Sequence, residues 1–485
     1  MAIRRALGIN GATQAATFLL SLGSVVIVSR LLTPDEIGIF SVSISLIGFA
    51  HILRDFGVGQ YLIQSREIDL ARMRAAFTVM LLTSWTIALG IYLVREPVAH
   101  FYDKPGMADV LGLIALNFLL IPFGAPIMSV LNRELLFGRI ALVNLSNNAI
   151  QHAVTIACAF AGLSYMSLAW GSIAGMLSNV IILSLMRPQF ALLRPTMNGL
   201  RNVMNFGYKF SANSLVLEFG NNAGDLIFGR TLGFSAVAYF SRSLAVLNLA
   251  TGQVLRLVNS VFLPAFAAQI RSGKAPAELY AKSITPIVGI TVPLLAFVGL
   301  MAEPLIDLMF GSQWEQAATL ASILSVSAML GAPFALIGTA LVANGQVGLH
   351  LKLQVGIQCI RIPVLLLSIW LSLEETIVAL VVASALFVYP QDVWMLKKAF
   401  NLSPRRLWAA VRSAYLLAPL SLLAPAVLRT LDVARAWNLP DMILLCACGA
   451  LFGVSWLAAV FLIRHPLRDE VENLFTTVFS RRSAG

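Results

Sequence analysis

Four arginines sit in or beside strongly apolar stretches: Arg54, Arg242, Arg256 and Arg361. A guanidinium stays charged at any working pH, and its planar fork of donors matches phosphate oxygens two at a time. Arg242 and Arg256 are fourteen residues apart. On one helix that spacing puts them near one face, about 21 Å apart along the axis. A second set is acidic and amidic. Ser211, Ser214, Glu218, Asn221 and Asp225 recur at helical spacing, with Asn222 beside them, and draw one hydrophilic stripe. Asn10, Gln14, Thr17, Ser21 and Ser24 draw a comparable stripe near the N-terminus. Such faces either line water or a solute or hydrogen-bond to neighbouring helices. Each arginine likewise either faces a cavity or reaches back to lipid headgroups, and Arg54 can also pair with adjacent Asp55. The chemistry these types suit is a grip on a phosphorylated solute through Arg54, Arg242, Arg256 and Arg361. Glu218, Asn221 and Asp225 suit ion or proton exchange, because an embedded carboxylate is easier to bury when protonated or ion-bound.

Holding such groups requires long apolar helices, and the composition supplies them. The 485 residues are 58% hydrophobic and 12% charged, with a mean hydropathy of +0.83. A soluble exterior needs about twice that charge, so most of the surface must face lipid. The apolar runs are continuous rather than alternating, which argues against a β-barrel. The sequence predicts an all-α polytopic membrane protein with fourteen spans. Six lie near 9–31, 37–60, 75–95, 109–131, 141–162 and 167–186, and six near 206–229, 234–258, 283–302, 318–343, 353–372 and 376–396. Two more lie near 411–429 and 442–463. One set of connections is basic, for example Arg66, Arg72 and Arg74, or Lys397, Lys398, Arg405 and Arg406. The opposite connections 163–166 and 303–317 hold no Lys or Arg. The positive side is the cytoplasmic one, and an even span count puts both termini there. No connection exceeds about 20 residues, so there is no room for a soluble catalytic domain.

The net charge of +11 comes from basic residues scattered between apolar runs, which argues against nucleic-acid binding. Cys158, Cys359, Cys446 and Cys448 lie inside apolar segments without ligand or disulfide spacing. His51, His100, His152, His350 and His465 show no metal-ligand spacing, and no phosphate-binding glycine loop occurs. No cofactor or metal is implied. Beyond Pro466, Leu467, Val471, Leu474, Phe475, Val478 and Phe479 recur at helical spacing opposite charged positions. That pattern suits an amphipathic helix on the inner leaflet.

A shift of 200 residues superimposes two stretches of the chain. Arg30 falls on Arg230, Leu32 on Leu232, Phe40 on Phe240, Ser41 on Ser241 and Ser43 on Ser243. Each stretch joins the first two spans of a six-span set. Six spans is an even number, so the repeats run parallel, as two pseudo-symmetric lobes. The expected organisation is a lobe over 1–200, a second over 201–400, two additional spans over 401–463 and a tail over 464–485.

Several stretches resemble bacterial polysaccharide exporters. They are Ser29-Arg-Leu-Leu-Thr-Pro-Asp-Glu-Ile-Gly-Ile-Phe40, Arg54-Asp-Phe-Gly-Val-Gly-Gln-Tyr-Leu-Ile-Gln64, Asn132-Arg-Glu-Leu-Leu-Phe137 and Asp225-Leu-Ile-Phe-Gly-Arg-Thr-Leu-Gly233. In that order, with fourteen spans, the chain is similar to the Wzx-like oligosaccharide flippases of the multidrug/oligosaccharidyl-lipid/polysaccharide exporter superfamily. The resemblance implies two V-arranged lobes around a cavity that opens alternately to each side of a bacterial inner membrane. It implies an undecaprenyl-pyrophosphate-linked oligosaccharide as cargo for lipopolysaccharide, capsule or exopolysaccharide, and a polysaccharide polymerase or export machinery as neighbours. It implies no enzyme activity. Two other classes stay open on sequence alone: a drug antiporter of the same superfamily, and a membrane polymerase or ligase acting on the same lipid-linked sugars.

Overall fold

A computed structural model describes residues 2–55, 58, 62, 70–190, 193–197, 218, 220, 222–435 and 439–472, without the side chains of 2–10, 55, 253, 256, 257, 259–261 and 435. Its elements are helical, and they form two compact units, Met1–Ala238 and Tyr239–Gly485.

The first unit holds α1 (Ala2–Leu31), α2 (Pro34–Asp55), α3 (Leu70–Phe101), α4 (Gly106–Arg133), α5 (Phe137–Phe160) and α6 (Met166–Met186). A further helical segment runs over 222–231, and α7 (Phe234–Arg271) opens at the end of the unit. α5 packs on α1 and α6, and α4 packs on α3 and α6. Met73, Phe77 and Met80 of α3 meet Val130 of α4 in one apolar cluster, and Ile127, Leu131, Val143 and Leu183 form another.

The second unit continues with α8 (Pro276–Leu300), α9 (Ala302–Phe310), α10 (Glu315–Gly331), α11 (Ile337–Ala343) and α12 (Val347–Leu366). It ends with α13 (Leu373–Ala383), α14 (Tyr389–Phe400), α15 (Pro404–Arg435) and α16 (Asp441–Leu462). Pro333 lies in the 3-10 turn Ala332–Phe334 between α10 and α11, where the missing N–H and the ring bend a single apolar span. Ser372 and Glu375 close a capping box that starts α13. A π-helical turn, Ser384–Val388, then leads into α14. Tyr280, Ile284 and Val288 of α8 pack with Leu336, Leu341, Met395, Leu396 and Phe400 in the core.

Eleven helical stretches among the described residues are long and apolar enough to cross a membrane. Three expected spans are not among them, for separate reasons. Most of 206–229 lies outside the described residues. α5 is a continuous helix of 24 residues and α7 one of 38. Asn144, Asn147, Asn148, Gln151 and His152 dilute the first, and Arg242, Asn248, Gln253, Arg256 and Asn259 dilute the second. Outward-facing side chains are apolar, as lipid requires: Leu185 is 75% exposed, Trp370 77% and Leu462 76%.

After α16, Arg464 adopts a φ of 51° and turns the chain inward. His465 and Leu467 are buried against α8 at Gly289, where a Cβ would meet His465 Cε1 at 2.6 Å. The Leu467 N–H donates to His465 Nδ1 at 3.2 Å. The remainder of the expected amphipathic tail, from residue 473, lies outside the described residues. Burial holds the His465 imidazole below its ordinary range. A depressed histidine contributes stability that is full above about pH 6.5 and is lost as the pH falls through the folded value. The melting temperature of the purified protein should therefore drop on acidification below about pH 6.5, and the drop should shrink in His465→Asn. Parallel pH profiles for the two proteins would contradict this.

Candidate functional site

α2 begins where the sequence supplies every start signal. Thr33 caps it, Pro34 occupies the first turn, and Asp35 and Glu36 complement the positive helix end. The Thr33 N–H donates to Glu36 Oε2 at 2.7 Å, and the Glu36 N–H donates back to Thr33 Oγ1 at 3.4 Å. The Ser164 hydroxyl donates to Glu36 Oε1 as well. From this start α2 presents a face of small residues, Gly38, Ser45 and Gly48, at i, i+7 and i+10.

Phe234, Asp225 and Glu218 meet that face in reverse order, so their segment runs antiparallel to α2. Gly38 lies directly on the Phe234 carbonyl, so closely that a Cβ has no room. The Ser45 hydroxyl donates to Asp225 Oδ2 at 2.7 Å. Gly48 abuts Glu218 Oε1, which accepts from Asn222 Nδ2 at 2.9 Å. Two carboxylates expected from the sequence thus line one helix contact inside the first unit. Asn221, Ser211 and Ser214 of the same stripe lie outside the described residues. Of the N-terminal stripe, Thr17 bonds back to Thr13 within α1, Ser24 is buried, and the Asn10 side chain lies outside the described residues.

The end of this contact is held by charge. Lys104 pairs with Asp35 at 2.8 Å and Arg230 with Asp103 at 3.5 Å. The Tyr102 hydroxyl donates to the Leu226 carbonyl at 3.2 Å, and its burial pushes the phenol above its ordinary range despite the nearby Arg230. Arg30 and Arg230, matched by the repeat, therefore each close a helix just before the next one starts, at Pro34 and Phe234.

The arginines occupy three settings. Arg54 is half-buried in the last turn of α2. Arg242 of α7 lies over two aromatic faces, 5.7 Å from the Phe310 ring centroid and 5.5 Å from that of Trp314. Phe310 and Trp314 are fully buried. Rings beneath a guanidinium take its face by cation–π attraction, while its in-plane N–H edge keeps the fork geometry. Arg361 is half-buried on α12. The α7 backbone passes through Arg256, whose side chain lies outside the described residues.

Ser45 and Tyr102 were not marked by the sequence pattern. The legible signal for Ser45 was the small-residue stripe Gly38, Ser45, Gly48; for Tyr102 there was none. Ser45→Ala removes one hydrogen bond to a carboxylate, a loss of about 1.5–3 kcal/mol. A lowered melting temperature in purified Ser45→Ala protein is the expected result. An unchanged one would show that Asp225 does not depend on this donor.

Residues 27–319 match the family described as "Polysaccharide biosynthesis protein", which is more than half of the 485 residues. The chain belongs to the polysaccharide biosynthesis protein family. Among its relatives, the Lipopolysaccharide biosynthesis protein WzxC of Escherichia coli (strain K12) is 24% identical over 371 residues, covering 74% of each chain. The fold is similar to that of the lipid II flippase MurJ in an inward closed conformation. That match has a TM-score of 0.75 and 11% identity over 95% of this chain and 99% of that one. It is also similar to an inward-facing multidrug resistance MATE family transporter of the MOP superfamily, with a TM-score of 0.62 and 15% identity over 81% of this chain and 95% of that one. This polysaccharide biosynthesis protein is a multi-pass helical membrane protein of the Wzx-like kind, built on the MOP transporter fold.

Proposed function

We propose that the protein is a flippase for undecaprenyl-pyrophosphate-linked oligosaccharide repeat units in a bacterial inner membrane, serving exopolysaccharide, capsule or O-antigen synthesis. The observation that carries this reading is the family match over 27–319, joined to a fold shared with a lipid II flippase along 95% of the chain. Physical chemistry agrees with it. A bare pyrophosphate in hydrocarbon is prohibitively costly, so its passage requires cations held within the membrane region. Arg54, Arg242, Arg256 and Arg361 supply them. The polyprenyl tail stays in lipid while sugar and pyrophosphate cross by alternating access. Arg256 receives the pyrophosphate on the inner side and hands it to Arg242, about 21 Å away along α7. Separate single sites bind weakly enough to release. Glu218, Asn221 and Asp225 couple an ion or proton to the switch. A polymerase or export machinery takes up the delivered repeat unit. The test is deletion of the gene and complementation with the wild type. The reading requires one surface or secreted polysaccharide to vanish and return. Unaltered polysaccharides in the deletion strain would refute it.

Both termini face the cytoplasm in this reading, because 397–410 carries four basic residues, Lys397, Lys398, Arg405 and Arg406, and 303–317 none. In a cysteine-free background, Ser312→Cys should react with a membrane-impermeant maleimide from outside. Ser403→Cys should react only after the membrane is opened. Labelling of Ser403→Cys in intact cells would invert the topology.

A further inference from the structure

The second unit contains a carboxyl group that none of these roles uses. Asp392, in the first turn of α14, is 5% exposed, and its Oδ1 has no hydrogen-bond partner. α14 follows directly on the π-helical turn Ser384–Val388, a local irregularity of the kind that re-aims side chains at functional positions. On α12, His350 is half-buried and its Nδ1 also has no partner. Both residues line one cavity of about 540 Å³, together with Thr339 and Gln354. Gly338 makes room for the imidazole, since a Cβ there would meet His350 Cε1 at 2.9 Å.

The groups around Asp392 are committed elsewhere. Tyr280 of α8 and Tyr389 of α14 both lie within its electrostatic reach. The Tyr280 hydroxyl donates to the Pro333 carbonyl at 2.9 Å, and the Tyr389 hydroxyl to the Ser327 carbonyl at 2.6 Å. The Gln391 amide donates to the Leu353 carbonyl at 3.0 Å. Lys397 and Lys398 of the same helix are exposed in its last turn. A buried carboxylate oxygen with no donor is costly to keep as it stands, and a positive charge entering the cavity removes that cost. The Asp392 oxygen and the His350 nitrogen can share a proton, and Asp392 with the oxygen-bearing side chains of Thr339 and Gln354 offers the oxygen ligands that an alkali cation prefers.

We propose that the cavity between α12 and α14 is a cation site, in which Asp392 and His350 take up a proton or an alkali cation. It is distinct from the Glu218 and Asp225 carboxylates of the first unit. Its use as a coupling site rests on the transport reading above, but occupancy of the site does not.

The test compares purified full-length wild type with Asp392→Asn and His350→Gln by thermal melting without substrate. One series replaces choline chloride by NaCl or KCl at constant ionic strength, and another lowers the pH from about 8 to about 5 in choline chloride. At high pH without alkali cation, Asp392→Asn should melt above wild type, because the amide carries no buried charge. That gap should close as sodium or potassium is added if the ligand is the metal ion, and as the pH falls if it is the proton. His350→Gln should weaken the same response. A gap that stays constant through both series overturns the proposal. Should neither variant fold, the Glu218→Gln, Asp225→Asn protein, which lacks the first unit's carboxylates, decides it. Heat of alkali-cation binding, or an infrared band of a protonated carboxyl persisting well above about pH 5, supports the site, and absence of both overturns it. A protein that flips no lipid can still pass this test, and a working flippase can fail it.

Discussion

Polysaccharide output falls to background when Arg242 and Arg256 are both replaced by alanine in a well-expressed protein. Each charge-assisted hydrogen bond from a guanidinium gripping a pyrophosphate is worth about 1.5–3 kcal/mol, so each site is worth at least about 10- to 100-fold in binding. Losing both would remove the proposed handover along α7. Arg242→Lys alone should also be severely impaired. It keeps the charge but loses the bidentate fork, and its ammonium makes a poorer fit over the buried Phe310 and Trp314 rings. Complementation of a deletion strain, normalised to the amount of each variant in the membrane, measures both effects. Wild-type output from the Arg242→Ala, Arg256→Ala double variant would leave the two residues as structural contacts.

Gly38→Val should prevent the protein from accumulating. The Phe234 carbonyl occupies the place a Cβ would take, and that neighbour is backbone, which cannot swing aside. α2 would have to lift off Phe234, stretching the Ser45–Asp225 bond and the contact of Gly48 with Glu218. Overpacking at a well-packed site costs about 1–3 kcal/mol, and the lost hydrogen bond adds to it. The repeat provides an internal control. Ala238, the partner of Gly38 at a shift of 200, is fully buried with its Cβ in place, so Ala238→Gly should cost only about 1 kcal/mol. Membrane abundance and melting temperature of the two variants are the measurements. A Gly38→Val protein as abundant and stable as wild type would mean that α2 does not dock through this face.

The membrane architecture was legible because lipid imposes one simple rule, a long apolar run per span. Where the chain departs from the rule, the reason is local: the amides of α5 and the arginines and asparagines of α7 give continuous helices of lower hydropathy. The junction at Pro34 and the one at Phe234 were legible too, since Arg30 and Arg230 mark them at a constant shift. The bend at Pro333 had a proline to announce it, but the π-helical turn Ser384–Val388 has no residue that distinguishes it from ordinary helix.

The candidate site was legible in its residue types and not in its pairings. Helical spacing placed Glu218 and Asp225 on one stripe. It could not reveal that Ser45, 180 positions away, would donate to Asp225. Arg242 stood out as a charge in an apolar run, yet its aromatic bed comes from Phe310 and Trp314 on a separate element. Asp392 drew no notice and His350 was set aside, because neither has a partner at metal-ligand spacing. Their shared cavity is enclosed by α11, α12 and α14 together, which only the folded packing brings to one place.

Transport itself is most directly measured in sealed vesicles containing the purified protein and a fluorescent undecaprenyl-pyrophosphate-linked oligosaccharide. In protein-free vesicles the inner-leaflet pool should stay protected from a glycosidase added outside. With the wild type that pool should become cleavable over time. It should stay protected with the Arg242→Ala, Arg256→Ala protein. If the pool stays protected with folded wild type under every imposed sodium, potassium and proton gradient, the protein is not a flippase for this class of lipid.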